Sequence, residues 1–205
     1  MNEVSIVQFT QKARNILRAV VQRHSTAGMK KRLWDSEFSG GRWDCLDNTP
    51  GDCIYTFLEK YARKGSILDL GCGSGNTASE LSDAAYADYV GVDISDVAIQ
   101  KAISKTREAQ RENKHRFVQS EFFSFVPDKY YDIVLFRDSI YYVPLGRVTA
   151  MLKRYANYLS RDGVFVVRLW GSEKNQSIID LITANFTVLE TYSQDNPKTM
   201  ILVFR

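Results

Sequence analysis

The stretch Ile67-Leu68-Asp69-Leu70-Gly71-Cys72-Gly73-Ser74-Gly75 gathers a carboxylate, a thiol and three alternate glycines. Glycines at such positions let the backbone take positive φ or let a ligand lie against it. Ile67, Leu68 and Leu70 read as a short buried parallel strand, and Asn76 to Leu81 is compatible with a helix. A strand, a glycine turn and a helix start would aim unpaired backbone N–H groups at one ligand. A second strand, Tyr89-Val90-Gly91-Val92, ends in Asp93. That is about 20 residues on, where a doubly wound fold places a ribose-binding acid. The spacing is Gly-x-Gly-x-Gly, with Asn76 after the last glycine, so the Gly-x-Gly-x-x-Gly fingerprint of dinucleotide binding is not met.

The elements around this motif are those of one domain. The 205 residues are 44% hydrophobic and 25% charged, ordinary for a globular protein with a full core. A net charge of +3 does not argue for a nucleic-acid partner. Cys45, Cys53 and Cys72 are not in Cys-x-x-Cys spacing, and His24 and His115 are the only histidines, so no structural metal is expected. Sparse cysteines fit a reducing cytoplasm. No run suits a signal peptide or a membrane span.

Residues 3 to 23 place Ile6, Phe9, Ala13, Ile16, Leu17, Val20 and Val21 at helical spacing, which predicts a helix docked on the domain or folded over its site. From 24 to 51, Gly28, Gly40, Gly41, Pro50 and Gly51 predict a loop, yet one that holds Trp34, Phe38 and Trp43. Asp52 suits the cap of a helix to about Arg63, with Gly65 as its stop. Further helices are expected from the glycine turn to about Ala85, from Ser95 to about Glu112, from Leu145 to Leu159, and around Ile178, Ile179 and Ile182. Strands are expected at 116–120, 131–137 and 164–170, with Arg161-Asp162-Gly163 as a turn. A closing hairpin is expected from 187–192 and 199–204.

Together, Asp69, the glycine turn and Asp93 resemble class I S-adenosylmethionine-dependent methyltransferases of the small-molecule type. The resemblance runs from about Ser66 to the C-terminus. It implies a three-layer α/β/α sandwich on a seven-stranded, mostly parallel sheet of order 3-2-1-4-5-7-6, with the seventh strand antiparallel. It divides the chain into a helical, aromatic cap over 1–51 and a Rossmann-like core over 52–205. Ser120-Glu121 matches the family's small residue and acid after strand three, with Glu where Asp is commoner. The Asn/Asp-Pro-Pro-Tyr tetrad of methyltransferases acting on base or glutamine amino groups is not found after strand four.

The resemblance implies S-adenosyl-L-methionine as cofactor and S-adenosyl-L-homocysteine as product. Asp93 would accept from the ribose hydroxyls, Ile94 would pack on adenine, and Glu121 and Phe122 would hold its edge. Gly71, Cys72 and Gly73 would run against the methionine part, Asp69 would orient the turn or meet the ammonium group through water, and the Arg137 backbone would approach the amino end. Trp34, Phe38, Arg42, Trp43, Tyr141 and Tyr142 are candidates for the acceptor pocket. Asp138 and His24 are candidate bases. The function implied is methyl transfer to an oxygen or nitrogen of a small molecule, by a cytoplasmic monomer or homodimer without membrane or nucleic-acid partners. A catalytically silent donor-binding subunit is the alternative, and an RNA or protein methyltransferase is a third reading.

Overall fold

A computed structural model describes residues 15–46, 49–195 and 198–205. The elements are α1 (15–24), α2 (Ala27–Ser39), α3 (Ile54–Ala62), β1 (Ser66–Leu70), α4 (Asn76–Glu80), β2 (Asp88–Asp93), α5 (Asp96–Glu108) and β3 (His115–Gln119). Then follow β4 (Tyr131–Arg137), α6 (Leu145–Ala156), β5 (Leu159–Trp170), α7 (Gln176–Asn185), β6 (Val188–Asp195) and β7 (Lys198–Phe204). The strands form one sheet, β3-β2-β1-β4-β5-β7-β6. The pairs among β1 to β5 are parallel, while β7 runs antiparallel to β5 and β6.

β1 is buried along its whole length. Alternation sends Leu68 and Leu70 to one face, with α6 and α7, and Ile67 to the other, with α3 and α4. Each fully buried side chain of this size contributes about 1.5–3 kcal/mol. The amphipathic spacing of Val148, Met151, Leu152 and Tyr155 makes the inner face of α6. At the opposite end from the glycine turn, Asp132 accepts from Ser66 N–H (2.7 Å) and Ser160 Oγ (2.7 Å), tying β1, β4 and β5 together.

Several boundaries differ from the sequence reading. Residues 27–39 are helical rather than loop. Thr26 caps the helix by accepting from Met29 N–H, Gly28 sits in the first turn with open space around it, and the helix stops only at Gly40. The helix after the glycine turn ends at Glu80, because Arg111 takes over the Ala78 and Leu81 carbonyls (3.1 Å each). α3 is stopped by Arg63 and Lys64 in the left-handed region, not by Gly65, whose missing Cβ makes room for the Asp132 carboxylate. Strand three begins a residue earlier, at His115. β5 runs back through Arg161-Asp162-Gly163 to Leu159, with an irregular register between Tyr131 and Ile133. Gly163 is needed there because a Cβ would lie 2.8 Å from the Tyr131 carbonyl.

α1 also corrects an expectation. Ile16, Leu17 and Val20 are 58%, 65% and 50% exposed, whereas Gln22 is buried. The inward face is polar because Arg18 pairs with Glu37 of α2 and Arg23 Nε donates to the Tyr141 carbonyl (3.0 Å). Ile6, Phe9 and Ala13 lie outside the described residues, as do Asn196 and Pro197 of the closing hairpin.

Candidate active site

The carboxyl ends of β1, β2, β4 and β5 surround a cavity of about 450 Å³, covered by residues of α1 and α2. This is the place where open parallel sheets receive ligands. Its floor is the glycine turn. Gly71 and Cys72 N–H both donate to the Val92 carbonyl (2.8 and 3.1 Å), folding the turn back over β2. Gly71 has φ +88°, and a Cβ there would collide with Ser139, whose Oγ donates to the Leu70 carbonyl (2.5 Å). Only glycine satisfies both constraints.

Asp93 closes the turn: its Oδ2 accepts from Gly73 N–H (3.0 Å) and its Oδ1 from Ser95 N–H (2.9 Å). Burial pushes its pKa up to about 6, against the pull of those N–H groups. Asp69 accepts from the Tyr89 hydroxyl on Oδ2, while its buried Oδ1 has no partner. Burial pushes Asp69 up to about 7. Burial also raises the Cys72 thiol, so it stays protonated and acts as a small apolar wall. Asn76 anchors the next helix through Nδ2 to Thr49 Oγ1 (2.8 Å), with its own Oδ1 unpartnered.

Above this floor, Trp34 and Phe38, four residues apart on α2, face the cavity together. Trp34 lies 5.7 Å from Trp43 and meets Tyr142 edge-on at 4.8 Å. Such pairs add about 0.5–1.5 kcal/mol each beyond burial. Glu37 locks this wall by accepting from Trp43 Nε1 (3.1 Å) and pairing with Arg18. Lys30, also on α2, reaches Glu121 at 3.4 Å.

The far end is ionic. Arg137 donates to Asp52 (2.8 Å), Thr49 (2.9 Å), the Tyr55 hydroxyl (2.9 Å) and Thr77 (3.2 Å). Arg168, paired with Arg137 in the β4–β5 register, bridges Asp138 and Asp52. The arginines hold Asp52 below its usual value despite burial. Asp138 has φ +55°, and its second oxygen accepts from Trp170 N–H (2.7 Å). Burial raises its pKa, opposed by Arg168.

Most sequence-derived candidates meet in this cavity: Asp69, Gly71, Cys72, Gly73, Asp93, Ile94, Glu121, Phe122, Arg137 and Asp138, with Trp34, Phe38, Trp43, Tyr141 and Tyr142. Two do not. His24 is exposed on α1, and Arg42 is exposed and turned toward Glu37 (4.0 Å). The side chain of Arg137, not its backbone alone, enters the site. Gln22, Lys30, Thr49, Asp52, Asn76, Thr77 and Arg168 line the cavity without having been singled out. Arg168 alone carried a signal, as a charge inside an otherwise apolar strand. His115 is buried away from the cavity, bonded to Tyr86 (2.6 Å) and Thr106 (3.0 Å), and burial lowers its pKa to about 4. Among the described residues, no group of His, Cys, Asp or Glu is placed to hold a metal, and no helix is long and apolar enough to cross a membrane.

This sheet order, with a glycine turn and acids at the carboxyl edge, is the architecture of class I methyltransferases. Residues 46–195 match a family model described as a methyltransferase domain, and the chain belongs to that family. The mRNA cap guanine-N(7) methyltransferase of Cryptococcus neoformans is 26% identical over 119 residues. That match covers 52% of this chain and 19% of the relative, so the chain spans about a fifth of that relative's length. Two solved structures share the fold. The N-methyltransferase NodS of Bradyrhizobium japonicum, in complex with S-adenosyl-L-homocysteine, gives a TM-score of 0.68 at 15% identity, covering 85% of this chain and 97% of its own. The magnesium protoporphyrin IX methyltransferase of Synechocystis, with bound S-adenosylmethionine, gives 0.61 at 19% identity, covering 100% and 98%.

Proposed function

We propose that the protein transfers a methyl group from S-adenosyl-L-methionine to an oxygen or nitrogen of a small-molecule acceptor. One observation carries the reading: beside the glycine turn, the buried oxygens Asp69 Oδ1 and Asn76 Oδ1 lack partners and belong to residues that line the cavity. Two orphan acceptors suit the donor's ammonium group. When bound, the donor supplies an electrophilic methyl on its sulfonium.

The chain's own residues then have distinct tasks. Asp93 offers its remaining lone pairs to the ribose hydroxyls, and Ile94 and Phe122 pack on the base. Glu121 and Lys30 offer an acceptor and a donor at its edge. The Arg137 guanidinium, its Nη groups held by Asp52, Thr49, Tyr55 and Thr77, sets positive charge near the carboxylate end. Trp34, Phe38, Trp43 and Tyr142 exclude water, and Tyr141 shapes the acceptor's place. Holding two reactants in line can supply up to about 7–11 kcal/mol of a barrier. Neither sequence-derived base adds to this, since His24 is exposed and Asp138 is held in an ion pair with Arg168. The acceptor therefore arrives with a lone pair already nucleophilic near neutral pH, as an unprotonated amine or a hydroxyl of low pKa does.

The match to a cap methyltransferase favours RNA as a second acceptor class. Transfer of radiolabelled methyl to a panel of small amines and phenols, and to capped and uncapped RNA, tests both. Turnover of small molecules that is insensitive to salt supports the first reading. Turnover confined to RNA and falling steeply with salt replaces it.

A further inference from the structure

Five buried side-chain polar atoms among the described residues lack a hydrogen-bond partner, and all but Thr199 Oγ1 belong to residues that line the cavity. The cavity's orphans divide by chemistry and by place. Asp69 Oδ1 and Asn76 Oδ1 are acceptors beside the glycine turn. Gln22 Nε2 and Arg168 Nε are donors, and both residues line the cavity together with Tyr141. Arg23, next to Gln22 on α1, donates to the Tyr141 carbonyl (3.0 Å), and the Arg168 guanidinium is close enough to the Tyr141 hydroxyl to counter the rise in its pKa.

Nothing in the protein answers these two donors. Arg168 has its Nη groups on Asp138 and Asp52, which fix the guanidinium and leave Nε–H over. Both carboxylates there are engaged by protein donors. Asp138 is held by Arg168 and Trp170 N–H, and Asp52 by Arg137, Arg168 and Ile54 N–H (3.1 Å). This end of the cavity thus offers a ligand two buried donors that the protein leaves unanswered. A buried donor without an acceptor is costly, so the arrangement is explained by what fills it.

We infer that the methyl acceptor carries a carboxylate, received by Arg168 Nε and Gln22 Nε2 beside Tyr141. The inference rests on the methyltransferase reading of the glycine-turn end. A carboxylate presents two oxygens and no hydrogen, which matches a wall of donors, and its bond to a guanidinium is charge-assisted. A terminal ammonium brings donors only and would answer neither, and a hydroxyl offers one neutral oxygen where a carboxylate offers two charged ones. Gln22 comes from α1, so recognition of the acid also draws α1 onto the cavity.

The test is calorimetric titration of the full chain, saturated with S-adenosyl-L-homocysteine, with matched acids and amides: 4-hydroxybenzoate and 4-hydroxybenzamide, glucuronate and glucuronamide, hexanoate and hexanamide. In at least one pair the acid should bind at least about tenfold more tightly. Gln22→Leu, at the edge of the fold, and Arg168→Lys, which keeps the charge but not Nε–H, should each cut that preference to about threefold or less. Gln22→Leu, which touches neither the glycine turn nor the Asp52–Arg137 pair, should leave S-adenosyl-L-homocysteine affinity within about twofold. Equal binding of acids and amides, no acid binding in a protein that binds S-adenosyl-L-homocysteine, or a preference that survives both substitutions overturns the inference. Failure of the wild type to bind S-adenosyl-L-homocysteine would instead remove the donor reading beneath it.

Discussion

The two ends of the cavity are held together by different physics. At the glycine-turn end, backbone geometry does the positioning: Gly71 and Cys72 N–H close on the Val92 carbonyl, Gly73 and Ser95 N–H close on Asp93, and the side chains are short. At the β4–β5 end, long ionised side chains from distant segments do it: Asp52, Arg137, Asp138 and Arg168 form a buried chain of alternating charge. A backbone-built site tolerates no added atom. A charge-built site tolerates no lost partner. Each end therefore has its own most damaging substitution.

The largest effect is expected at the charged end. Arg137→Met leaves Asp52 with Arg168 alone and strips the donor from Thr49, Tyr55 and Thr77. Breaking a buried pair from one side should lower stability by about 3 kcal/mol, read by chemical denaturation. A loss below about 1 kcal/mol would mean this end is not held by charge. Gly71→Ala should follow closely, at about 2–3 kcal/mol, because it adds left-handed strain to a clash with Ser139. Its donor binding should vanish even where the protein stays folded.

The contrast between the ends also decides what the sequence disclosed. Ile67 to Gly75 and Asp93 are close in sequence or tied by the strand–turn–helix pattern, so their types and spacing were enough to bring them together. The sheet order followed from the resemblance that this motif carries. Asp52 meets Arg137 and Arg168 only once α3 docks beside β4 and β5, and no local pattern encodes that meeting. Residues 27–39 read as a loop when Gly28 counts only as a breaker. A glycine in a capped first turn costs little there, and the spacing of Trp34 and Phe38 was the better signal. α1 goes the other way: Ile16, Leu17 and Val20 face outward, while Gln22 is buried and Arg18 pairs with Glu37. The resemblance puts Arg42 near the pocket with the rest of the cap, and His24 reaches it only if the N-terminal segment folds over; neither placement fixes which way a side chain points.

Three smaller effects sharpen the comparison. Burial lifts Asp93 to about 6 and Asp69 to about 7, from 3.8. The folded state holds these protons more tightly than the unfolded one. Their contribution to stability is therefore full below about pH 3.8 and is lost as pH rises through 6 and 7. A cationic donor prefers both groups ionised, so its affinity should rise about tenfold between about pH 5 and pH 8 by calorimetry. Asp69→Asn should flatten that rise, and a pH-independent affinity would place the donor's charge elsewhere. Trp43→Ala opens the aromatic wall without touching the turn, so the donor should dissociate about tenfold faster in stopped flow, with the melting temperature lowered by several degrees from the lost ring contacts. Smallest of all, His24→Ala should change turnover by less than about twofold, as befits a surface position.

The central claim is that the backbone-built end receives the methyl donor. Calorimetric titration with S-adenosyl-L-methionine and S-adenosyl-L-homocysteine, on the wild type and on Asp93→Ala, tests it most directly. The account predicts micromolar binding by the wild type, weakened at least about tenfold by the substitution, or about 1.4 kcal/mol. A folded wild type that binds neither ligand, or an Asp93→Ala variant that binds both undiminished, would contradict it.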